Sequence, residues 1–200
     1  MSILKELEAK HGGRHKASKE NKYGHRHQGG DRFTVNNYDE AYLPNIPKDP
    51  KVVLEIGVFT GTGLRVWSDY YPNARIIGLD HCPEDVVDPG RAEVHYFDQL
   101  KPEGLEEILQ GDKVDLAIDD GLHRAFCQVN TFKYVQPFLN ENAIYIIEDI
   151  SSLAYPHFEG WIDNCEKFIT GGKMAIVRYP SKGVTVAGEE LLKKYRKEFK

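Results

Sequence analysis

The chain has 200 residues, of which 40% are hydrophobic, and this is enough for one substantial core. Its formal net charge of -5 argues against a nucleic-acid-binding protein, because such domains usually carry a basic stripe. Cys82, Cys127 and Cys165 are widely spaced and form no CxxC pair, which indicates reduced thiols in a cytoplasmic protein. The N-terminus lacks an apolar signal region and no run is long enough to span a bilayer, so we expect neither secretion nor membrane insertion. The sequence leaves open whether the protein forms a homo-oligomer.

Residues 1–48 differ in composition from the rest and are predicted to form a partly flexible N-terminal arm or lid. They hold half of the eight histidines, namely His11, His15, His25 and His27. Few aliphatic residues occur there, so the segment cannot build a core of its own. We expect a solvated tail over residues 8–30 and a docked lid over "FTVNNYDEAYL" (33–43). Residues 49–200 are predicted to form the main domain.

From Lys51 onward, short apolar runs alternate with amphipathic stretches. This order predicts a doubly wound, mostly parallel α/β sheet that binds its ligands at the carboxyl ends of the strands. "PSKG" predicts an antiparallel hairpin of residues 174–179 and 184–187 at one edge of the sheet, and a charged helix follows. The predicted strands are 52–56, 75–79, 93–97, 114–118 and 144–147, and the predicted helices are 63–71, 104–109, 123–138 and 158–169.

The first strand ends in a glycine-rich turn, "LEIGVFTGTG", with Glu55 and Gly57 at the strand end and Thr60 and Gly61 in the turn. Such a turn lets a ligand approach the backbone and the free N–H groups of the next helix. A tight turn without a ligand is the alternative, but Asp80 at the next strand end suits a ribose. Together they predict a nucleoside pocket. Glu55 favours S-adenosylmethionine over a dinucleotide, because a carboxylate would repel pyrophosphate.

The third strand ends at Asp98 and Gln99, which offer an acceptor and a donor to an adenine or ribose edge. An equally good interpretation is that Asp98 only caps a turn before Pro102.

Carboxylates follow the fourth and fifth strands. Asp119 and Asp120 end "VDLAIDD", and Glu148 and Asp149 follow "AIYII". Neighbouring strand ends would bring these acids together, and their mutual repulsion requires a positive charge among them. A divalent cation is the simplest answer, with Mg²⁺ first and Mn²⁺ or Ca²⁺ as alternatives. Helix capping explains one or two of the four acids at most.

His123 is predicted to lie in the first turn of the next helix, one turn after Asp120. Imidazole exchanges its proton near neutral pH, so His123 is a candidate base toward a hydroxyl that a metal polarises. This spacing favours Asp120 as the metal ligand and leaves Asp119 as a cofactor-side or structural neighbour. A lone histidine is more often a surface or satisfied core residue.

The ordered motifs "LEIGVFTGTG", "GLD", "FDQ", "IDDGLH" and "YIIEDI", over roughly residues 50–155, resemble the class I S-adenosylmethionine-dependent methyltransferases. The resemblance is to their metal-dependent macrolide-sugar O-methyltransferases, of the mycinamicin and tylosin type. In those enzymes the residue before the histidine is usually serine, where this chain has Leu122. They also carry a large N-terminal domain, where this chain has only the short arm.

The resemblance implies roles for individual residues. Asp120, Glu148 and Asp149 would hold Mg²⁺, and His123 would be the general base. The arm resembles the substrate-side tyrosine segment, so Tyr38 and Tyr42 are candidate substrate contacts. The residues expected at the cofactor site are Glu55, Gly57, Thr60, Gly61, Asp80, Asp98, Gln99 and Asp119.

The sequence therefore predicts methyl transfer from S-adenosylmethionine to a hydroxyl of a small polyhydroxylated, sugar-like acceptor. A catechol or other phenolic diol is an alternative acceptor, since its vicinal oxygens suit the same metal. A non-catalytic nucleoside-binding module is the alternative from another class, although binding alone does not require the acids and the histidine.

Overall fold

The computed structural model describes residues 1–12 and 30–198, with side chains as far as residue 196. The solvated tail expected over residues 8–30 lies mostly outside the described residues, as do His15, His25 and His27. Its described beginning differs from the prediction, because residues 8–11 are helical and Glu8 is buried. The strands are β1 (Val52–Ile56), β2 (Arg75–Asp80), β3 (Glu93–Tyr96), β4 (Val114–Asp119), β5 (Leu139–Ile147), β6 (Cys165–Ile169) and β7 (Lys173–Arg178). The helices are α1 (Ile3–His11), α2 (Asp39–Tyr42), α3 (Thr62–Tyr70), α4 (Leu105–Leu109), α5 (Ala125–Val135), α6 (Phe158–Trp161) and α7 (Val186–Glu198).

The strands form one seven-stranded sheet in the order β3-β2-β1-β4-β5-β7-β6. The first five are parallel, and β7 and β6 are antiparallel to their neighbours. This confirms the predicted doubly wound sheet with an antiparallel edge. The order reverses between β1 and β4, and ligands of such sheets bind outside the strand ends at this switch point.

The edge hairpin is present, but its strands differ from the prediction. It pairs β6 with β7, whereas Val184 forms only an isolated bridge with Ile162 and α7 begins at Val186. The helix predicted over residues 158–169 therefore ends at Trp161. The signal was the alternation of "CEKFI" followed by Gly171 and Gly172, which suits a strand and a tight turn rather than a helix.

Both faces of the sheet are covered, as a parallel sheet requires. Helices α5, α6 and α7 pack on one face, and α1, α3 and the arm pack on the other. On the arm side, Trp67 stacks on Tyr42 at 5.7 Å between ring centroids, and Phe33 meets both rings edge-on. All three side chains are buried. Within the described residues, no helix is long and apolar enough to cross a membrane.

Candidate active site

Backbone hydrogen bonds continue beyond the strands and align the residues that follow them. Gly57 N donates to Leu79 O at 2.8 Å, Asp120 N to Ile56 O at 2.9 Å, and Glu148 N to Asp119 O at 2.9 Å. The ends of β2, β1, β4 and β5 are therefore locked side by side. This arrangement brings Asp120, Glu148 and Asp149 to one edge of the sheet, as the sequence predicts, with Glu55 beside them. Asp119, the fourth acid of the predicted group, is instead fully buried.

A cation from the arm lies among these acids. Arg32 is 7% exposed, and its guanidinium reaches three carboxylates. Its Nη2 donates to Glu55 Oε1 at 2.9 Å and to Asp120 Oδ2 at 3.0 Å. Its Nε lies 2.8 Å from Oε1 and 2.9 Å from Oε2 of Glu148. The guanidinium also sits 5.9 Å from the centroid of the Trp67 ring.

Arg32 is not among the residues predicted from the sequence, although the acids require a positive charge among them. The predicted docked segment began at Phe33, one residue after it. A signal for Arg32 was present in the sequence. An arginine directly precedes an aromatic segment, in a chain whose acids need a buried counter-charge. Arginine suits this position because its planar group binds several carboxylates at once.

Burial and neighbouring charges shift the pKa values of this network in opposite directions. Burial lowers the pKa of Arg32, but the charges of Glu148 and Glu55 outweigh it and hold that pKa well above its usual value. Burial raises the pKa of Glu148 to about 7, against the opposing effect of Arg32. Burial and the charge of Glu148 also raise the pKa of Asp120. Asp120 keeps 27% of its side chain exposed, so water weakens this effect there.

Both arm tyrosines donate to the acids after β5. Tyr42 donates its hydroxyl to Oε1 of Glu148, and Tyr38 donates to Oδ1 of Asp149 at 2.5 Å. Both tyrosines are fully buried. Their observed contacts therefore orient the acids, and direct contact with a substrate stays a prediction.

One group of side chains has the spacing of a metal site. Asp120, His123 and Asp149 each offer one ligand atom, and these atoms lie within 4.8 Å of one another. The Nε2 atom of His123 is 3.9 Å from Oδ2 of Asp149. Two carboxylates and an imidazole are suitable ligands for a divalent cation such as Mn²⁺ or Mg²⁺. These three residues therefore fit a divalent metal site. Glu148, the third predicted ligand, instead faces Arg32 and Tyr42.

The local structure around His123 differs from the prediction. Helix α5 begins at Ala125, so residues 120–124 form an irregular turn and His123 is not in a first helical turn. In this turn, Leu122 N donates to Oε1 of Gln99 at 2.5 Å. His123 reaches Asp149 across the strand ends, and Leu122 lies beside it with 45% of its surface exposed.

The glycine-rich turn borders a cavity of about 240 Å³. Among the predicted cofactor residues, the lining includes Glu55, Gly57 and Thr60, and Arg32 and Asp120 close one side. Gly57 has φ of +83°, and a Cβ there would lie 2.4 Å from the backbone oxygen of Asp120. Only glycine permits this approach. Within the described residues, Glu55 Oε2 is buried and without a hydrogen-bond partner, so this cavity contains an unused acceptor.

Asp80 and Asp98 both bind backbone amides. Asp80 Oδ2 accepts from Val58 N at 2.9 Å and Phe59 N at 3.1 Å, so it shapes the turn that also contains Gly61. Asp98 Oδ1 accepts from Leu100 N at 2.8 Å, which is the turn-capping role given above as an alternative. Contact of either acid with a cofactor stays a prediction.

Asp119 and Gln99 are joined to each other beneath the site. Gln99 Nε2 donates to Asp119 Oδ1 at 2.8 Å, and Tyr145 donates to Oδ2 at 3.3 Å. Burial raises the pKa of Asp119 to about 7. Asp119 is fully buried, so these contacts support its structural role, and a cofactor contact for either residue stays a prediction.

Solved structures with the same architecture identify the fold. The chain aligns with MycE methyltransferase from the mycinamycin biosynthetic pathway, solved with Mg, SAH and mycinamycin VI. The TM-score is 0.59 at 22% identity, over 88% of this chain and 54% of that one. A second MycE structure, with Mg and SAH, gives a TM-score of 0.52 at 25% identity, over 78% and 39%. The fold is that of a class I methyltransferase. A ribosomal RNA methyltransferase structure from Plasmodium falciparum shares this methyltransferase fold, with a TM-score of 0.56 at 18% identity, over 76% of this chain and 97% of that one.

Curated relatives confirm the resemblance inferred from the motifs. The chain is 28% identical over 171 residues to 8-demethyl-8-alpha-L-rhamnosyl tetracenomycin-C 2'-O-methyltransferase of Streptomyces olivaceus, covering 77% of this chain and 45% of that protein. It is 33% identical over 119 residues to mycinamicin VI 2''-O-methyltransferase of Micromonospora griseorubida, covering 56% and 30%. The chain thus spans less than half the length of these relatives. No protein-family model matches it.

Proposed function

We propose that this protein is an S-adenosylmethionine-dependent, Mg²⁺-dependent O-methyltransferase that acts on a hydroxyl of a small, sugar-like acceptor. The observation that carries the proposal is the convergence of Asp120, His123 and Asp149 next to the glycine-rich turn. The two curated relatives described above are both sugar O-methyltransferases, which supports a sugar hydroxyl as the acceptor.

The cofactor would bind along the ends of β1 and β2. Glu55 offers a buried acceptor without a partner for the ammonium of the methionine moiety. Gly57 and Thr60 leave the backbone accessible at the cavity wall. We assign Gly61, Asp80, Asp98, Gln99 and Asp119 to the same site, as residues that contact the cofactor or hold its pocket.

Asp120 and Asp149 would hold Mg²⁺, with Glu148 as the third ligand. Mg²⁺ would supply a positive charge that makes an adjacent acceptor hydroxyl more acidic. Tyr38 limits the freedom of the Asp149 carboxylate through its 2.5 Å hydrogen bond. Acids fixed in this way would hold the ion in one position, which would lower the entropic cost of orienting the acceptor.

His123 would accept the proton of the hydroxyl at Nε2. As the proton leaves, the oxygen forms a bond to the methyl carbon of S-adenosylmethionine. The carbon–sulfur bond breaks, its electron pair stays on sulfur, and S-adenosylhomocysteine is the product. His123 is well placed for this exchange, because 46% of its side chain is exposed and the proton can pass on to water.

An acceptor screen tests the proposal. The purified protein would be incubated with methyl-labelled S-adenosylmethionine and a panel of rhamnosides, other vicinal-diol sugars and catechol, with and without EDTA. We expect label transfer to a sugar that EDTA abolishes and added Mg²⁺ restores. Transfer to catechol alone would reassign the acceptor to phenolic diols. Binding of S-adenosylhomocysteine with no transfer to any acceptor would favour a nucleoside-binding module.

A further inference from the structure

The arm holds Arg32 in place by contacts outside the acidic site. Glu8 of α1 is buried, and its carboxylate accepts from Phe33 N at 3.1 Å and from Thr34 N at 2.6 Å. Helix α1 is tied to α3 by Lys10 and His11, which both bind Asp69. The position of Arg32 is therefore built by the fold and does not depend on the acids alone.

Arg32 occupies atoms that a metal ion would use. Both oxygens of Glu148 face Arg32 Nε, and Oε1 also receives the Tyr42 hydroxyl. Asp120 Oδ2 accepts a hydrogen bond from Arg32 Nη2. The three atoms with metal-site spacing therefore include none from Glu148. An ion held by Glu148, Asp120 and Asp149 together would compete with Arg32 for these carboxylate oxygens.

Electrostatics sets the two cations against each other. A divalent ion beside Asp120 and Glu148 would lie close to a guanidinium that shares the same carboxylates, and the buried setting screens their repulsion poorly. The same acids therefore attract both the divalent ion and the Arg32 guanidinium. Binding of the ion weakens the contacts of the guanidinium, and the guanidinium weakens the binding of the ion.

We propose that Arg32 is a tethered competitor of the divalent cation. The arm places one positive charge among the acids while no ion is bound, and full ligation through Glu148 displaces the guanidinium and loosens residues 30–34. The inference rests on the proposed function in one respect, namely that an ion binds at these acids. It adds a coupling between arm closure and metal binding.

Metal titration of the protein without cofactor or acceptor tests this coupling. Mn²⁺ binding would be measured by electron paramagnetic resonance for the unmodified chain, Arg32→Met and Arg32→Lys. We expect Arg32→Met to bind Mn²⁺ about tenfold more tightly, within the usual range for coupled sites, and Arg32→Lys to lie between. Arg91→Met is the control, because Arg91 bonds backbone carbonyls of Ala74 and Tyr71, and it should bind Mn²⁺ unchanged.

A fluorescence measurement reports the movement itself. Trp67 and Trp161 are the two tryptophans, so Trp161→Phe leaves Trp67 beside Arg32 as the only reporter. Adding Mg²⁺ should shift Trp67 emission in this variant and leave it unchanged once Arg32→Met is added. If Arg32→Met fails to fold, Glu8→Gln is the second variant. It weakens the hydrogen bonds from Phe33 N and Thr34 N that hold the arm, and it should also raise Mn²⁺ affinity.

Equal or weaker Mn²⁺ binding by a folded Arg32→Met, or by Glu8→Gln where Arg32→Met does not fold, would overturn the competition and leave the proposed function intact. No Mn²⁺ binding by any variant would overturn both.

Discussion

The hydroxyl of Tyr38 lies 2.5 Å from Oδ1 of Asp149, and this bond joins the arm to an acid with the left-handed φ of 49°. An aspartate in this conformation is uncommon and needs its surroundings to hold it. Burial and the bond to Asp149 raise the pKa of Tyr38 well above its usual value, so the phenol stays a donor.

Replacing Tyr38 by Phe should therefore weaken Mn²⁺ binding, because Asp149 loses the donor that orients it. We expect a stability loss of about 1 kcal/mol in thermal unfolding, since Asp149 is partly exposed. Tyr71→Phe is the matched control. Its hydroxyl donates to Pro47 O at 2.6 Å, so it should lose stability and keep Mn²⁺ affinity. Equal Mn²⁺ affinity in both variants would argue against this role for Tyr38.

Kinetics and metal binding together can show whether His123 is a general base or a metal ligand. If it is the base, His123→Ala should lower kcat by about 10²- to 10⁴-fold with the best acceptor, while Mn²⁺ and S-adenosylhomocysteine affinities stay close to those of the unmodified chain. His157→Ala, at a histidine that contacts Trp161, should keep full activity. A parallel loss of Mn²⁺ affinity in His123→Ala would make His123 a ligand and contradict the base assignment.

Gly57 should be the least replaceable residue of the glycine-rich turn. Gly57→Ala adds a Cβ 2.4 Å from the backbone of Asp120 and forces an unfavourable φ. Gly104→Ala is the control, since its φ is +81° but nothing lies within 4 Å of the added carbon. Chemical unfolding should show a loss of about 1–2 kcal/mol for Gly104→Ala, from backbone strain alone. Overpacking should cost Gly57→Ala about 1–3 kcal/mol more. Equal losses of unfolding free energy in the two variants would mean that the glycine-rich turn shifts to make room for the added Cβ.

Two cysteines should resist alkylation in the folded protein. Burial raises the pKa of the Cys127 thiol to about 11 and that of Cys165 to about 12. The thiolate is the reactive form, so a raised pKa lowers its fraction at pH 8, and the rate should still rise above pH 9. Mass spectrometry after timed iodoacetamide treatment would measure this. Unfolding in guanidinium should make both react like free cysteine, and rapid labelling of the native chain at pH 8 would contradict the expectation.

The strand ends and their acids were predictable because they follow from short-range rules. Buried runs such as "VDLAI" predict strands, and parallel neighbours place Asp120 and Glu148 at one edge. Arg32 was not predictable in this way, because its partners lie 23, 88 and 116 residues away in sequence. The helix predicted over residues 158–169 failed for a different reason. The alternation of "CEKFI" was a local strand signal, and β6 pairs with β7 as that signal indicates.

A buried cation of the arm, Arg32, pairs with buried acids of the sheet, and this pairing affects how the molecule unfolds. A chain cut at residue 48 would retain every strand yet lose the guanidinium that bonds to Glu55 and Glu148. The compositional boundary is therefore not a boundary of cooperativity. Amide hydrogens of Phe33 and Thr34, bound to Glu8, should exchange with deuterium as slowly as those of β1, and the arm should melt with the sheet in a single transition.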